Sequence, residues 1–479
     1  MRGLRKVAAC ALVVSAFGSG CTEEELAPLP PGGLPGPPEW NREVTPPSDD
    51  AARDGRAACA YGKGALPAET QGASYPNGAE IPIDHVLVVM MENRSFDHYF
   101  QKLPEYGQPD VDVAPASFSN PDPNGVPVPI YHESHYCIVD TNHEWKGSHE
   151  QVNDGAMDGF VRTNHGWGTL PPGGTETLRD GARAMGYFDA TDLPLYYFLA
   201  NEFSIADRFF CSLQGPTFPN RSYLYAGSSF GVTGGDLPPG DATTVFDYLE
   251  ARQVDWKVYK SPNGAPGFAT FFTQYLKYQA DHVRLTADFL ADAAAGTLPS
   301  FAFIDPGLGV VSGNWDNDDE HPPADPQVGQ RFVGTLVDAL VKSPAWSRTA
   351  LFITYDEHGG LYDHVVPPPA CKPDDLEPAL AAGDPAEHFD ELGMRVPLIV
   401  VSPYAKQHHV SHETYDLTSI LRFIEARFVM PALTGRDANA LAPWDMFDFD
   451  HPPHLTPPAL SVPAVDPAKY AACEATFGG

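Results

Sequence analysis

The sequence is poor in positive charge. It contains 30 lysines and arginines against 63 aspartates and glutamates, which gives a formal net charge of −33. A chain of this charge repels a phosphodiester backbone and has no basic stripe to bind one, so we exclude nucleic acid as a partner. The same acidity disfavours docking onto anionic membranes. Zwitterionic lipids and soluble phosphate esters remain candidate ligands, because a bound cation changes the local electrostatic field.

Cysteine is also scarce, with seven residues in 479 and no CxxC or HExxH spacing. These absences argue against a structural zinc cluster and against a zincin-type site. Five cysteines follow the amino-terminal region, and the sequence alone does not give their pairing. They are Cys59, Cys137, Cys211, Cys371 and Cys473. A bridge between Cys137 and Cys211 is one option, since each lies six residues before a residue that we place below in the active site.

The apolar run at residues 7–17 is too short to span a bilayer. Basic residues precede it and small residues follow it, so residues 1–20 are predicted to be an export signal. The ending Gly-Ser-Gly-Cys resembles a bacterial lipoprotein cleavage site, which makes Cys21 a candidate lipid anchor. Ordinary secretion is the alternative. We therefore expect an exported protein, either a cell-envelope lipoprotein or a secreted one.

Residues 21–56 are rich in proline, glycine and acids, and they are predicted to form an extended tether. The remainder, residues 57–479, shows no internal repeat and is predicted to be one catalytic domain. Strand-like and helix-like segments alternate along it, which predicts a layered α/β fold. The predicted strands lie at 86–91, 254–259, 301–305, 350–355 and 395–405. The predicted helices lie at 96–100, 186–203, 269–295, 327–342 and 417–428.

Two of the predicted strands end in polar residues that can bind a cation. Glu92 and Asn93 follow the first strand, and Asp356 and Glu357 follow the strand at 350–355. The carboxyl edge of an open α/β sheet is where ligands bind, so the two pairs are expected to form one metal site. Oxygen ligands suit calcium, magnesium or manganese, and nearby histidines would also allow zinc or iron.

A candidate nucleophile lies in the segment QGPTFPNRSYLY at 214–225. Glycine and proline predict a tight turn there, and a helix is expected to begin near residue 222, so Thr217 would lie close to a helix N-terminus that favours phosphate. A divalent cation could lower the pKa of its hydroxyl. Taken alone, the segment favours a simple turn, and only its place among the other motifs favours a nucleophile.

Seven ordered motifs between about residues 84 and 450 resemble the bacterial phosphoesterase family that contains the non-specific phospholipases C and a related group of acid phosphatases. The motifs are ENRSFDHYF at 92–100, NHEW at 142–145 with NDGAMDGF at 153–160, MGYFDATDLPLYY at 185–197, GPTFPNR at 215–221, EHPP at 320–323, YDEHGGLYDHVVPP at 355–368 and RVPLIVVSPYA at 395–405.

This resemblance implies an alkaline-phosphatase-like three-layer α/β sandwich, with a central, mostly parallel β-sheet flanked by helices. It implies one divalent metal ion, whose ligands by motif are Glu92, Asn93, Thr217, Asp356 and Glu357. It further implies that His143 and His321 contact the phosphate together with Asn93. His358 is a further catalytic candidate, because it adjoins the metal ligands.

The reaction implied by the resemblance is hydrolysis of a phosphoric ester, in which Thr217 becomes transiently phosphorylated. A phospholipase C acting on phospholipids such as phosphatidylcholine is the preferred interpretation. A broad-specificity acid phosphatase using the same site is the alternative, and an inactive surface lipoprotein is less favoured because all five proposed ligands are present. The sequence leaves the oligomeric state open.

Overall fold

An eight-stranded, mostly parallel sheet forms the centre of the protein. The structure is a computed structural model that describes residues 34–262, 279–308 and 315–478. We number the strands of this sheet β1 His85–Met91, β2 Ser204–Ala206, β3 Trp256–Lys260, β4 Val283–Leu285, β5 Phe301–Asp305, β6 Thr349–Tyr355, β7 Leu398–Val401 and β8 His409–Ser411. Their order across the sheet is β8-β2-β7-β6-β1-β5-β3-β4. Strand β7 is antiparallel to both of its neighbours, and the other described pairs are parallel.

Helices cover both faces of the sheet. They are α1 Asp49–Ala57, α2 Pro67–Thr70, α3 Phe96–Phe100, α4 Trp145–Val152, α5 Phe160–Asn164, α6 Pro194–Glu202, α7 Thr217–Ala226, α8 Val245–Arg252, α9 Gln279–His282, α10 Thr286–Ala295, α11 Pro326–Val341, α12 Leu417–Phe428, α13 Gly435–Asn439 and α14 Pro467–Phe477. Short 3-10 helices occupy Pro38–Asn41, Gly78–Glu80, Leu103–Tyr106, Glu176–Arg179, Gly181–Met185, Trp346–Arg348 and Trp444–Met446. Short two-stranded pairs join Ser119–Pro121 to Pro127–Pro129, Tyr131–His132 to Gly186–Tyr187, and Phe209–Phe210 to Tyr415–Asp416.

Alternate residues of the central strands point to opposite helix layers. On one face, Phe303 of β5 packs against Tyr225 of α7, with ring centroids 4.8 Å apart. On the other face, Tyr355 of β6 lies 5.5 Å from Tyr99 of α3. Because β1 is covered on both sides, its residues from Val86 to Met91 are completely buried, as a strand in a parallel sheet requires. The predicted three-layer α/β sandwich is confirmed.

The tether predicted for residues 21–56 is wrong for the described part, which begins at residue 34. Trp40 is buried, and its ring lies 4.6 Å from that of Tyr248. Arg252 donates hydrogen bonds to Pro35 O at 2.7 Å and to Asn41 Oδ1 at 2.9 Å. These contacts, together with helix α1, attach the segment to the domain. The predicted export signal and Cys21 lie outside the described residues.

The bridge considered between Cys137 and Cys211 is also wrong. Cys59 is bonded to Cys371 and Cys137 to Cys473, while Cys211 is a buried free thiol. The partners are 312 and 336 residues apart in sequence, so proximity to a shared active site gave no guide to the pairing.

The predicted helix at 186–203 begins only at Pro194, because residues 186–187 form a short strand and Pro194 occupies the first helical turn. Part of the predicted helix at 269–295 falls outside the described residues, and its remainder contains strand β4. Among the described helices, none combines the length and the apolar character needed to cross a membrane.

Candidate active site

Three neighbouring parallel strands each end in a buried carboxylate. Glu92 follows β1, Asp356 follows β6, and Asp305 is the last residue of β5. Strand β1 lies between β5 and β6, so the three ends are adjacent at the carboxyl edge of the sheet. All three side chains are completely buried. Carboxylates out of contact with water need a compensating positive charge.

Arg221 provides part of this charge. Its Nε lies 3.0 Å from Asp356 Oδ2, and its terminal nitrogens lie 3.4 Å from Glu92 Oε1 and 3.5 Å from Asp305 Oδ1. Burial tends to lower the pKa of Arg221, but Asp356, Glu92 and Asp305 together raise it above its ordinary value. The guanidinium is therefore permanently charged and bridges the ends of the three strands.

Arg221 also attaches Thr217 to the sheet, because both residues belong to α7 and are one turn apart. Thr217 is the first residue of this helix, five positions before the predicted start, and it is 5% exposed. Its hydroxyl makes no hydrogen bond to any described residue. The positive end of the helix dipole lies at the same position, which favours an anion there.

Asn220 fixes the loop that leads into α7. Its Oδ1 accepts hydrogen bonds from the backbone amides of Ser212 at 2.9 Å and Leu213 at 3.0 Å. Its Nδ2 donates to Gly215 O at 2.8 Å. One side chain thus makes three hydrogen bonds with the backbone that precedes Thr217. These bonds make the turn that carries the Thr217 hydroxyl rigid.

The structure brings the four predicted strand-end ligands together. Asn93 N donates to Asp356 Oδ1 at 3.2 Å, and the amide of the next residue, Arg94, donates to Glu357 O at 3.1 Å. Asn93 has a φ of 62°, a left-handed conformation that asparagine tolerates and that turns the chain sharply after β1. The two polar pairs are therefore held against each other by the backbone.

Several oxygen atoms in this group are buried and accept no hydrogen bond from the part of the chain that the structure describes. They are both carboxylate oxygens of Glu92, Oδ1 of Asn93 and Oε1 of Glu357. Burial raises the pKa of Glu92, with Asp356 adding to the rise and Arg221 opposing it, and burial raises the pKa of Glu357 well above its usual range. Such orphaned oxygens are the donor type that a hard divalent cation uses, so the residues fit a metal of this class.

His143 and His321 lie beside this group. His143 Nε2 is 3.3 Å from Asn93 Nδ2, and the two imidazole rings are 5.5 Å apart in an edge-on arrangement. One ligand-type atom each from His143, His321 and Asp140 lie within 4.8 Å of one another. The two histidines and Asn93, predicted to contact phosphate, therefore share one corner of the site.

Both histidines gain protons more readily than a free imidazole. Burial acts to lower the pKa of His143, but Glu357 and Asp140 outweigh it and raise the pKa. The pKa of His321 is likewise raised against burial, by Asp140 and Glu92. Protonated imidazoles in this position can donate hydrogen bonds to anionic oxygens.

His358 occupies a different environment. It is completely buried, its Nε2 lies 2.7 Å from Gln151 Oε1, and its ring packs edge-on against Phe160. Nδ1 lies 3.3 Å from Glu357 Oε2. Burial, with a contribution from His143, lowers its pKa far below the usual range, so this imidazole is neutral. Its place is beside Glu357 and Gln151.

Sequence reasoning missed Arg221, Asp305 and Asp319 as parts of the site. Arg221 stands in the GPTFPNR motif, but only its contacts reveal that it bridges the strand ends. Asp319 O accepts from Glu92 N at 2.9 Å, and its Oδ1 accepts from His321 N at 3.1 Å. The available signal was the run of acids immediately before His321.

Residues 83–431 match the sequence model of the Phosphoesterase family. The chain is 32% identical over 461 residues to "Phospholipase C B" of Mycobacterium tuberculosis, which covers 85% of this chain and 84% of that protein. It is 33% identical over 401 residues to "Non-specific phospholipase C1" of Arabidopsis thaliana, covering 78% and 72% of the two chains.

Similarity to solved structures is weaker. The lipoteichoic acid synthase LtaP from Listeria monocytogenes is 11% identical, covers 82% of each chain and gives a TM-score of 0.36.

Proposed function

We propose that this chain, which belongs to the phosphoesterase family and is therefore a hydrolase of phosphoric esters, catalyses the reaction of a phospholipase C. The substrate class is a phospholipid such as phosphatidylcholine, cleaved between the glycerol oxygen and phosphorus. The names of two relatives that align over most of this chain support this choice. The observation that carries the proposal is the juxtaposition of buried strand-end carboxylates with a helix that begins at Thr217.

Glu92, Asn93, Asp356 and Glu357, with the Thr217 hydroxyl, are the residues that would hold a divalent metal ion. Their unsatisfied buried oxygens support this assignment. When bound, such an ion supplies charge that lowers the pKa of a coordinated hydroxyl and polarises the phosphoryl oxygens. Its identity within the set of calcium, magnesium, manganese, zinc and iron stays open.

Thr217 attacks phosphorus as its alkoxide, formed by loss of the hydroxyl proton to solvent before the step, in line with the departing glycerol oxygen. The new bond joins Oγ1 to phosphorus, the bond from phosphorus to the glycerol oxygen breaks, and an imidazolium of the His143–His321 pair gives its proton to the departing oxygen. Asn93 and the two histidines donate hydrogen bonds to the nonbridging oxygens, where charge accumulates. The products of this step are diacylglycerol and a phosphothreonine that carries the head group.

Water then attacks the same phosphorus, and Thr217 Oγ1 leaves with its electron pair. The histidine that gave a proton in the first step accepts one from the attacking water, so the pair alternates between acid and base. The released product is the phosphorylated head group, and the enzyme returns to its starting state. Two in-line displacements predict overall retention of configuration at phosphorus.

The decisive experiment compares phosphatidylcholine vesicles with p-nitrophenyl phosphate as substrates, each with and without chelator. Thr217→Ala should lose at least about a thousandfold in kcat on the cleaved substrate, since the nucleophile is absent. Ser222→Ala is the matched control, because it removes a buried hydroxyl of the same helix whose one hydrogen bond among the described residues goes to Phe218 O, at 2.9 Å. It should keep nearly full activity.

Each outcome of this experiment has a separate meaning. Diacylglycerol release without cleavage of p-nitrophenyl phosphate supports the phospholipase C. Cleavage of the monoester alone would identify an acid phosphatase, and failure of both would identify an inactive protein. Full activity of Thr217→Ala would overturn the proposed nucleophile. Wild-type activity that survives exhaustive chelation would overturn the proposed metal.

A further inference from the structure

Glu320 is a completely buried carboxylate bound by three tyrosines. Its Oε1 accepts from Tyr196 at 2.6 Å, and its Oε2 accepts from Tyr99 and Tyr355, also at 2.6 Å each. The donors come from helices α6 and α3 and from the end of strand β6. Hydrogen bonds to a buried charge are stronger than neutral ones, so the three phenols hold this side chain in one position.

The backbone of Glu320 is held as firmly as its side chain. Its φ is 74°, a left-handed conformation that costs free energy for a residue with a Cβ atom. Its carbonyl oxygen accepts a hydrogen bond from the Arg94 guanidinium. A Cβ atom at Gly329 of helix α11 would overlap the Glu320 side chain, so the backbone of α11 packs directly against that side chain.

This strained residue lies immediately before His321. The preceding residue, Asp319, is tied to the end of β1 through Glu92 N and accepts from His321 N. Glu320 thus directs its side chain into the tyrosine cluster, while the next residue places its ring 5.5 Å from that of His143. The left-handed turn is what allows adjacent residues to serve the core and the active site.

We propose that Glu320, clamped by Tyr99, Tyr196 and Tyr355, is the positioning residue that fixes His321 for the reaction. The inference rests on the proposed function, in which His321 contacts the phosphoryl group. Glu320 itself touches no reacting atom. Loosening the clamp should leave substrate binding nearly unchanged and should slow the chemical step, because a misplaced donor is felt most in the transition state.

Tyr196→Phe is the sharpest variant, because Tyr196 is the sole described donor to Oε1 and lies on α6, a helix that contains none of the predicted metal ligands. We expect kcat to fall about tenfold, with KM within about twofold of wild type. Glu320→Gln keeps the shape of the side chain and should give a smaller loss. Tyr259→Phe is the control, because it removes a phenol that donates to Asp292 on the distant β3 side of the sheet.

A double-mutant cycle separates positioning from general destabilisation. In a His321→Ala background, Tyr196→Phe should cost no further activity if the clamp acts through His321. An undiminished tenfold loss in that background would overturn the proposal, as would an equal loss in Tyr259→Phe.

Hydrogen exchange supplies a readout that does not depend on turnover. A peptide that contains residues 319–321 should exchange at least about tenfold faster in Tyr196→Phe than in wild type, and Tyr259→Phe should leave it unchanged. Unchanged exchange in Tyr196→Phe would overturn the clamp. If the wild-type protein hydrolyses no phosphate ester, the proposed function fails, and the exchange rates still decide whether Glu320 holds this segment.

Discussion

The Nε of Arg221 lies 3.0 Å from Oδ2 of Asp356, and both side chains are completely buried. This ion pair joins the helix that begins with Thr217 to the end of strand β6. It therefore fixes the position of Thr217, the candidate nucleophile, relative to the strand-end carboxylates.

Replacing Arg221 by methionine should destabilise the protein by about 3–5 kcal/mol, because three buried carboxylates lose their common partner. Chemical denaturation followed by circular dichroism measures the change. Arg53→Met is the control, since its salt bridge to Asp50 is largely exposed and should contribute less than about 1 kcal/mol. Equal effects of the two substitutions would contradict a structural role for the buried pair.

Removal of divalent metal should lower the melting temperature of the wild-type protein. The reason is that both carboxylate oxygens of Glu92 and Oε1 of Glu357 are buried without a donor among the described residues, and a cation that binds only the folded state stabilises it. Glu357→Gln should abolish most of the chelator-induced shift. Glu425→Gln alters another buried acid, one paired with Arg422, and should leave the chelator shift intact. Thermal melts with and without chelator test both variants.

The two disulfides should dominate the response to reductant. Cys137→Ala combined with Cys473→Ala should cost about 2–5 kcal/mol of unfolding free energy, because the bond closes a loop between residues 336 apart. Cys211→Ala is the matched control, since this buried thiol is unpaired. Its reductant-induced shift in melting temperature should equal that of wild type. A lost or altered shift in Cys211→Ala would indicate a different pairing.

His364 should stabilise the protein more at low pH than at high pH. Its Nδ1 lies 2.6 Å from Asp97 Oδ2; burial alone would lower its pKa, but Asp97 and Asp363 raise it. A raised folded-state pKa adds stability that is fully present below the unfolded value of about 6.5 and is lost as pH rises through the folded value. The destabilisation caused by His364→Gln should therefore be largest below about pH 6.5 and should shrink at higher pH. Urea unfolding of both proteins from acid to alkaline pH tests this sign.

Asp363, the neighbour of His364, also stabilises the protein more at low pH than at high pH. Burial raises its pKa to about 6. A raised carboxyl pKa means that the folded state binds the proton more tightly, so this contribution also declines as pH rises through that range. Asp363→Asn should flatten the wild-type stability profile between about pH 4 and pH 6. A profile that stays as steep in the variant would exclude Asp363 as its source.

The sequence predicted the strand ends well, because their signal is local. A continuous apolar run identified β1, and Glu92 and Asn93 followed it directly, so their place at the sheet edge needed no knowledge of distant contacts. Helix α12 was predicted with its observed bounds, Leu417–Phe428, because its apolar residues recur at helical spacing.

Long-range contacts set the limit of the sequence reasoning. Trp40 stands among prolines and acids that are typical of an unfolded segment, and only Arg252 and Tyr248, more than 200 residues away, reveal that it is packed. The bridging role of Arg221 was hidden for the same reason. Neither the charge of one arginine nor its motif indicates that three strand ends meet around it.

The two disulfides interleave along the chain, since Cys137 lies between Cys59 and Cys371, and Cys371 lies between Cys137 and Cys473. A single peptide-bond cleavage anywhere between Cys59 and Cys473 therefore leaves both fragments covalently joined by at least one bridge. Export, as predicted from residues 1–20, would expose the chain to foreign proteases, and this arrangement means that one nick does not release a fragment. The two fragments of the nicked chain stay linked by a disulfide and can reassociate, as long as their surroundings remain oxidising.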